Sequence, residues 1–561
     1  MKQSSRWAIL SGVVLAMLLS SLDQTIVATA MPTIVQELHG LEHFSWVFTA
    51  YMLGSTITVP IYGKLSDIFG RRNLYLIGIG IFLSGSILCG LAQDMTQLIF
   101  FRALQGIGGG AMMVNSYAII GEIFPPAERG KYQGMIGGVF GLSSIAGPLL
   151  GGWITDNFSW RWVFYVNIPI GIIALIVLAS ALPKLVPHAR SRIIDWWGAL
   201  FIIATLIPLL LALVWGGSVY GWSSMIIIGS FITSLVSLII FISIERKAAN
   251  PILSLGLFRN SVFIVSVCCL FFTTMAMFGA IVYIPIFSQG VIGRSATHAG
   301  LVLTPLMISL ITASTVSGRI ISRTGKYKAL AIGGTAIILA GLLFFSTVDS
   351  TTTNGELVLR MIILGIGLGT TMPIFTLAVQ SAFPKERLGE VTAGSQLFRN
   401  VGGTVGTAVL GGIMNIRLTE QMDQLKQEPF LAEMKQFDLG QTASHFDGSF
   451  IQTVLNRDNQ QHIRALLDKL PPAYHSTANS HFNQFVNSAK GAFSDAVSDV
   501  FLVASGLISV ALILVCFLPQ IPLRSSKKPV AEETGILLNE ELGQNDEEHH
   551  PGKLEKVQVK K

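Results

Sequence analysis

The feature that most constrains this chain is a succession of apolar runs, each long enough to cross a lipid bilayer. Eight lie near 8–30, 44–62, 74–93, 98–120, 132–154, 162–182, 197–214 and 224–243. Six more lie near 262–286, 298–317, 329–347, 356–378, 392–414 and 496–519. A run of about 20 apolar residues crosses the roughly 30 Å hydrocarbon layer as a helix, because no water there can satisfy an unpaired backbone. Hydrophobic residues make up 51% of the 561 positions and charged ones only 12%, against about 25% charged in soluble domains. That balance excludes a soluble enzyme, a nucleic-acid binder and a disordered chain. The first run continues past Asp23 to Met31, so it reads as a span and not as a cleaved signal peptide.

Lys and Arg in the short loops set the orientation. One side receives Lys2, Arg6, Arg71, Arg72, Arg129, Lys131, Lys184, Arg190, Arg192, Arg246 and Lys247. It also receives Arg323, Lys326, Lys328, Lys385, Arg387 and Arg524, while the opposite short loops hold little beyond Arg161 and Arg294. Both termini are therefore expected in the cytoplasm, and the net charge of +6 reports topology, not a polyanionic partner. Segment 415–495 falls outside the cell. Its Leu455, Ile463, Leu466, Leu467 and Leu470 stand at helical spacing, which suggests an external helical cap, with a tolerated surface insertion as the alternative. The tail after Arg524 is expected to be disordered. Cys89, Cys268, Cys269 and Cys516 all lie in apolar runs without metal-ligand spacing. No catalytic constellation and no Walker loop stands out, so neither an enzyme nor an ATP-driven pump is expected, and no cofactor.

An internal repeat says more. Gly63 to Arg72 (GKLSDIFGRR) recurs at Gly318 to Lys326 (GRIISRTGK). Arg102 with Gly106 and Gly108 recurs as Arg360 with Gly365 and Gly367, and Phe124 to Gly130 recurs as Phe383 to Gly389. Gly147-Pro148 with Gly151-Gly152 recurs as Gly402-Gly403 with Gly406. All four landmarks are displaced by 255 to 259 positions and keep their order. The offset is eight spans and not six, so two extra spans lie between the halves. The expected domains are a six-helix bundle at 1–183 and a two-span linker at 184–260. A second bundle follows at 261–519, including the external segment, and then a tail at 520–561. Parallel duplication of this kind is the mark of alternating-access transporters.

On these residues the chain resembles the major facilitator superfamily, in its 14-span drug:proton antiporter branch of the EmrB/QacA type. Gly63 to Arg72 resembles the signature cytoplasmic loop, Arg102 to Gly110 the span-4 motif, and Gly147 to Gly152 the antiporter motif of span 5. Leu22 to Pro32, Trp160 to Pro169, Asp195 to Gly198 and Phe398 to Gly403 match the branch. Ala28 and Ser143 depart from it, at places where Asn and Gly are usual. The resemblance implies a bacterial plasma-membrane multidrug exporter, active as a monomer and driven by the proton gradient. It implies as fold two six-helix bundles plus two linker spans. A lipid or amphiphile exporter of the same fold, and a transporter-like sensor or scaffold, are the alternatives.

The chemistry concentrates on a few positions. Asp23 lies roughly 22 Å into the first span by helical rise and is the one acid well inside any span. Burial disfavours the charged form of an acid, so such a carboxylate is a candidate proton carrier or cation ligand; permanent pairing with Arg102 is the alternative. Arg102 opens span 4 with Gln105 one turn on, and in the resembled family this arginine assists proton transfer; snorkelling to the outer interface is the alternative. Gly63, Asp67, Gly70, Arg71 and Arg72 are read as a cytoplasmic latch, Asp67 facing the positive end of a neighbouring helix or an arginine there. Its second copy has Ser322 in place of the acid. Gly147, Pro148, Gly151 and Gly152 are read as a seal against proton leak between the halves. Tyr51, Gln105, Met112, Met113, Met275, Phe278, Tyr283 and Phe375 are the expected cavity wall, suited to small hydrophobic or cationic molecules.

Overall fold

The computed structural model describes residues 3–38, 43–183, 193–217, 219–292, 302–431, 451, 454–455, 457–468 and 472–521. Nearly everything in it is helix. The fourteen long helices among the described residues begin with α1 (Gln3–Leu38), α2 (Phe44–Phe69), α3 (Arg71–Leu91), α4 (Met95–Ile123), α5 (Pro126–Asn157), α6 (Trp162–Ala181) and α7 (Trp196–Trp215). They continue as α8 (Met225–Glu245), α9 (Ser261–Gly290), α10 (Thr304–Thr324), α11 (Lys328–Phe345), α12 (Asn354–Ala382), α13 (Leu388–Leu425) and α14 (Pro472–Cys516). Eleven of them are long and apolar enough to cross a membrane by those criteria alone. The other three, α2, α4 and α13, are as long and all three line the internal cavity described below.

Local chemistry sets the ends. Gly70 at φ 89° makes the turn between α2 and α3, a conformation open to glycine without a Cβ penalty. The side chains of Asp94, Asn260 and Thr353 accept from the first turns of α4, α9 and α12. Gly325, left-handed at φ 67°, ends α10, so that helix closes beyond the 298–317 run that marks it in the sequence.

Packing repeats with an offset of eight helices. In the first half α1 packs on α5 and α6, and α4 on α2 and α3; in the second α9 packs on α13 and α14, and α12 on α10 and α11. The halves meet through two related pairs, α5 with α10 and α2 with α13. Helices α7 and α8 pack on each other, and α7 also lies against α2 and α13. Helix α8 leaves Ile228, Ile232, Leu235, Val236 and Ile239 exposed, the apolar surface that a lipid-facing helix presents.

Within segment 415–495 the described parts are helical and continuous with the second-half core. Helix α13 runs on to Leu425, a short helix covers Arg457–Leu467, and α14 starts at Pro472. Met422, Phe430, Leu455 and Leu467 are buried against Phe482, Phe485 and Val486 of α14. Leu470, the loop cations Lys2, Lys184, Arg190, Arg192 and Arg294, and all but Gln520 and Ile521 of the tail at 520–561 lie outside the described residues.

Candidate functional site

Helix α1 carries Asp23 into the middle of the first bundle, where it is fully buried. Arg102 Nη1 of α4 donates to its Oδ2 at 2.6 Å, and Gln105 Nε2 and Asn167 Nδ2 both donate to its Oδ1 at 2.8 Å. Ser86 of α3 accepts from the same two amides at 3.1 and 3.0 Å and donates to the carbonyl of Phe164 at 2.8 Å. Four helices thus converge on one carboxylate. Three donors satisfy a charge that would be costly to bury alone, and the ion pair offsets that of Arg102. Arg102 is buried and does not snorkel to an interface. Its guanidinium lies over the Tyr51 ring, 4.4 Å from the centroid, and the Tyr51 hydroxyl is 3.1 Å from Ser20 Oγ. Asn167 and Ser86 were not singled out by sequence reasoning, although Asn167 lies in the Trp160 to Pro169 stretch. The same stretch also ties the end of α1 down: Trp160 Nε1 donates to Glu37 at 2.8 Å, and Arg161 pairs with Glu37.

Among the described residues the second half has no counterpart of this network. Arg360 takes the place of Arg102, lies over the Phe344 ring at 4.6 Å, and donates to Thr347 at 3.4 Å. No carboxylate meets it within ion-pair distance among the described residues.

Between the halves lies a cavity of about 230 Å³, bordered by α1, α2, α4, α5, α9 and α13. Arg102 and Tyr51 form the side nearest Asp23, and Met113, Tyr117, Phe140, Phe278, Arg399 and Asn400 line the rest. Of the wall expected from sequence, Tyr51, Met113 and Phe278 are present, and Gln105 sits behind it in the Asp23 network. Met112, Tyr283 and Phe375 do not line it, because each points into the packed core of its own half. Met275 lies where α9 meets α13, beside Gly406. The volume is below the roughly 300–1,000 Å³ of drug-sized sites, so a bulky ligand requires the walls to part.

One end of the interface between the halves is closed by the Gly63 to Arg72 segment, which is not a loop but the last turns of α2, the Gly70 turn and the start of α3. Asp67 Oδ1 and Oδ2 accept from the backbone amides of Gly389 and Glu390 at 3.1 and 3.0 Å, in the first turn of α13 where the helix dipole favours an anion. Arg71 donates to Asp67 at 2.9 Å and pairs with Glu122, while Arg72 donates to the carbonyl of Ala179 at 2.6 Å. Gly63 lies against Gly389 and Ala393 so closely that a Cβ would collide with both. The repeat-related contact sets Gly318 on Gly130, but Ser322 there donates to its own helix, at the Arg319 carbonyl. Arg129 and Gln133 add bonds to Gln380 across the interface at 3.2 and 2.8 Å. Asp67→Asn keeps the shape but removes the charge from the α13 terminus, so this end is expected to open more often. In a background without the four native cysteines, Ser314→Cys, buried here against α5, should then label faster with a water-soluble maleimide. Unchanged labelling would count against the latch.

The Gly147 to Gly152 motif does not lie between the halves. Gly147 and Gly151 face Thr25, Ile26 and Thr29 of α1 within the first bundle, and a Cβ at Gly152 would meet nothing within 4 Å. Thr25 Oγ1 donates to the Ser143 carbonyl at 2.9 Å, and Ser21 and Ser143 hydroxyls stand 2.6 Å apart, so Ser143 itself joins α5 to α1. The small residues of α5 that face the other half are Gly130, Gly134, Gly138 and Gly141, set against Gly318, Ser314 and Ile311 of α10.

A family model described as Major Facilitator Superfamily matches residues 13–193 and 178–407. The chain is 40% identical over 532 residues to the Multidrug transporter protein MdtP of Bacillus subtilis (strain 168), covering 95% of this chain and 96% of that protein. It is 40% identical over 422 residues to Multidrug resistance protein 3 of the same organism, covering 75% and 82% respectively. Among solved structures, the proton:xylose symporter XylE bound to 6-bromo-6-deoxy-D-glucose matches with a TM-score of 0.57 at 14% identity, over 93% of this chain and 98% of that one. That likeness is one of fold.

Proposed function

The chain belongs to the Major Facilitator Superfamily, and on that premise we propose that it exports hydrophobic compounds from a bacterial cell in exchange for protons. It is a multi-pass membrane protein of a family of transporters. Drug efflux is the activity that its relatives' names support. We place the end bearing Asp67, Arg71 and Lys326 in the cytoplasm, following the positive-inside rule.

The observation that carries the exchange reading is the Asp23–Arg102 pair, because Arg102 also borders the cavity. With Asp23 ionised, the guanidinium is neutralised and held by its partner, and the cavity accepts an apolar ligand. With Asp23 protonated, the ion pair is lost, and an unpaired cation faces the cavity, where it favours water over an apolar ligand. Proton and ligand then exclude one another, as antiport requires. Closure of the Asp67 latch corresponds to the state with the cytoplasmic end shut. The cationic preference expected from the sequence needs a carboxylate facing the ligand. Asp23 is held by three donors and is absent from the cavity wall, so the proposal keeps the hydrophobic part alone.

Everted membrane vesicles test this reading. Adding a transported compound to vesicles holding a pre-formed pH gradient should dissipate the gradient, and vesicles lacking the protein should not respond. A substrate panel that leaves the gradient untouched while the protein is present and inserted would reject proton exchange.

A further inference from the structure

A second cavity, of about 310 Å³, lies apart from the one between the halves. Helices α7 and α8 line one side of it, α13 another, and the segment 246–260 between α8 and α9 closes it. Its walls are apolar. The one hydroxyl among them, that of Thr205, donates to the Phe201 carbonyl of its own helix at 2.7 Å. Two carboxylates hold the closing segment in shape. Glu245 Oε1 accepts from the amides of Ile252 and Leu253 at 3.0 and 3.4 Å, and Glu390 Oε1 from that of Ser254 at 2.7 Å. Leu253, Leu255 and Phe258 of this segment all line the cavity. Water finds no partner on such walls, and empty space against them forfeits dispersion contacts, so the space suits an apolar guest.

The surroundings say which guest. Leu238, Ile242 and Arg246 stand four residues apart on α8 and its last bonded turn, so they form one stripe. Leu238 and Ile242 line the cavity, and Leu238 is exposed beside Leu235 and Ile239 of the lipid-facing side. The stripe runs from there to exposed Arg246, at the end of the molecule closed by Asp67, where Glu390 binds both Ser254 and Asp67. Arg259, exposed next to Phe258, is a second cation on the same segment. Neither arginine forms an ion pair among the described residues. We propose that this cavity holds an acyl chain of an anionic phospholipid from the leaflet on the Asp67 side, its phosphate resting on Arg246 and Arg259. A long apolar tail with an anion at one end matches an apolar recess with cations at one end. The two spans outside the repeat then have a task of their own. Leu397 and Phe398 wall this cavity while Arg399 and Asn400, next along α13, line the one between the halves. Lipid seated here braces the helix that carries both the latch partner and part of the export wall.

The test uses the purified full chain in nanodiscs containing a small fraction of phosphatidylglycerol with a diazirine in its acyl chain. Illumination should attach lipid to the peptides that hold Leu238 to Phe258 or Leu397 and Phe398. Leu255→Trp, which puts an indole into the space, should remove those adducts and keep the ones elsewhere on the lipid-facing surface. Arg246→Gln and Arg259→Gln, at exposed positions, should each lower the yield about fivefold. The arginine variants decide alone if Leu255→Trp does not fold. Adducts spread evenly over the lipid-facing helices, adducts undiminished in the variants, or equal labelling by a phosphatidylcholine probe overturn the inference. Displacement of the adducts by N-phenyl-1-naphthylamine, a neutral apolar compound, but not by unlabelled phosphatidylglycerol would give the cavity to such compounds. A lipid-free dimer in native mass spectrometry would give it to a second copy of this chain. Either result overturns the lipid.

Discussion

Asp23→Asn is expected to reduce uphill efflux to background while leaving the protein inserted, and to weaken the binding of neutral compounds, because it leaves Arg102 unpaired at the cavity as protonation of Asp23 does. Asn has the size of Asp and still accepts from Gln105 or Asn167, so the packing of α1, α3, α4 and α6 around position 23 is conserved. What it lacks is a titrating oxygen and the ion pair with Arg102 at 2.6 Å. Breaking a buried pair on one side costs roughly 3–5 kcal/mol where the remaining charge cannot escape. Arg102 borders the cavity, so it can turn toward water there, and the loss of stability should be smaller. The cycle Asp23→Asn, Arg102→Gln and both together separates the two effects. The double variant should regain thermal stability, because no orphaned charge is left, yet still fail to move substrate uphill. Asp23→Glu retains the titration but has to fit an extra methylene into a fully packed site, so partial function is expected. Dye efflux against a gradient, with pH-gradient collapse in everted vesicles, measures all four. A protein with Asn at this position that still concentrates dye outward at normal rates would falsify proton exchange through Asp23.

The parts of this site that were legible in the sequence are those where composition leaves one interpretation. An acid inside an apolar run, as at Asp23, stands out because the bilayer makes it expensive. The repeat placed Arg102 and Arg360 at related positions and exposed the loss of the acid at Ser322. Asn167 and Ser86 were not legible as partners of Asp23, since short polar residues are ordinary in membrane helices and their target depends on how α3 and α6 pack against α1. The cavity wall was only partly legible. Apolar residues are spread around the whole of α4 and α9, so periodicity does not separate the face toward the cavity from the face toward the core. Met112 and Met113 are neighbours in sequence, yet one is core and the other is wall. The glycines of α5 teach the same lesson by geometry. From Gly141 to Gly147 the helix turns by six residues, about 600°, which is a net rotation of about 240°. One glycine set therefore faces the other half, and the next faces α1.

That geometry sets the last expected result, for Gly63→Val. In the closed state Gly63 meets Ala393 and the backbone of Gly389, and no Cβ fits between them. Valine forces α2 and α13 apart at the end sealed by Asp67. Overpacking of a tight contact costs roughly 1–3 kcal/mol. At 1.4 kcal/mol per factor of ten, the balance between closed and open forms of that end shifts about 5- to 150-fold. The open form has no such contact and bears no penalty, so folding and insertion should be kept while the transport cycle stalls with the cytoplasmic end open. Gly318→Val, at the repeat-related contact with Gly130, should act in the same direction. Gly152→Val is the control, because open space surrounds that position, and it should leave turnover near normal. The readout is maleimide labelling of Ser314→Cys together with the initial rate of efflux. Both interface variants should label faster and pump more slowly than the control. If they label at the control rate, the close approach of the glycines is not what holds that end shut.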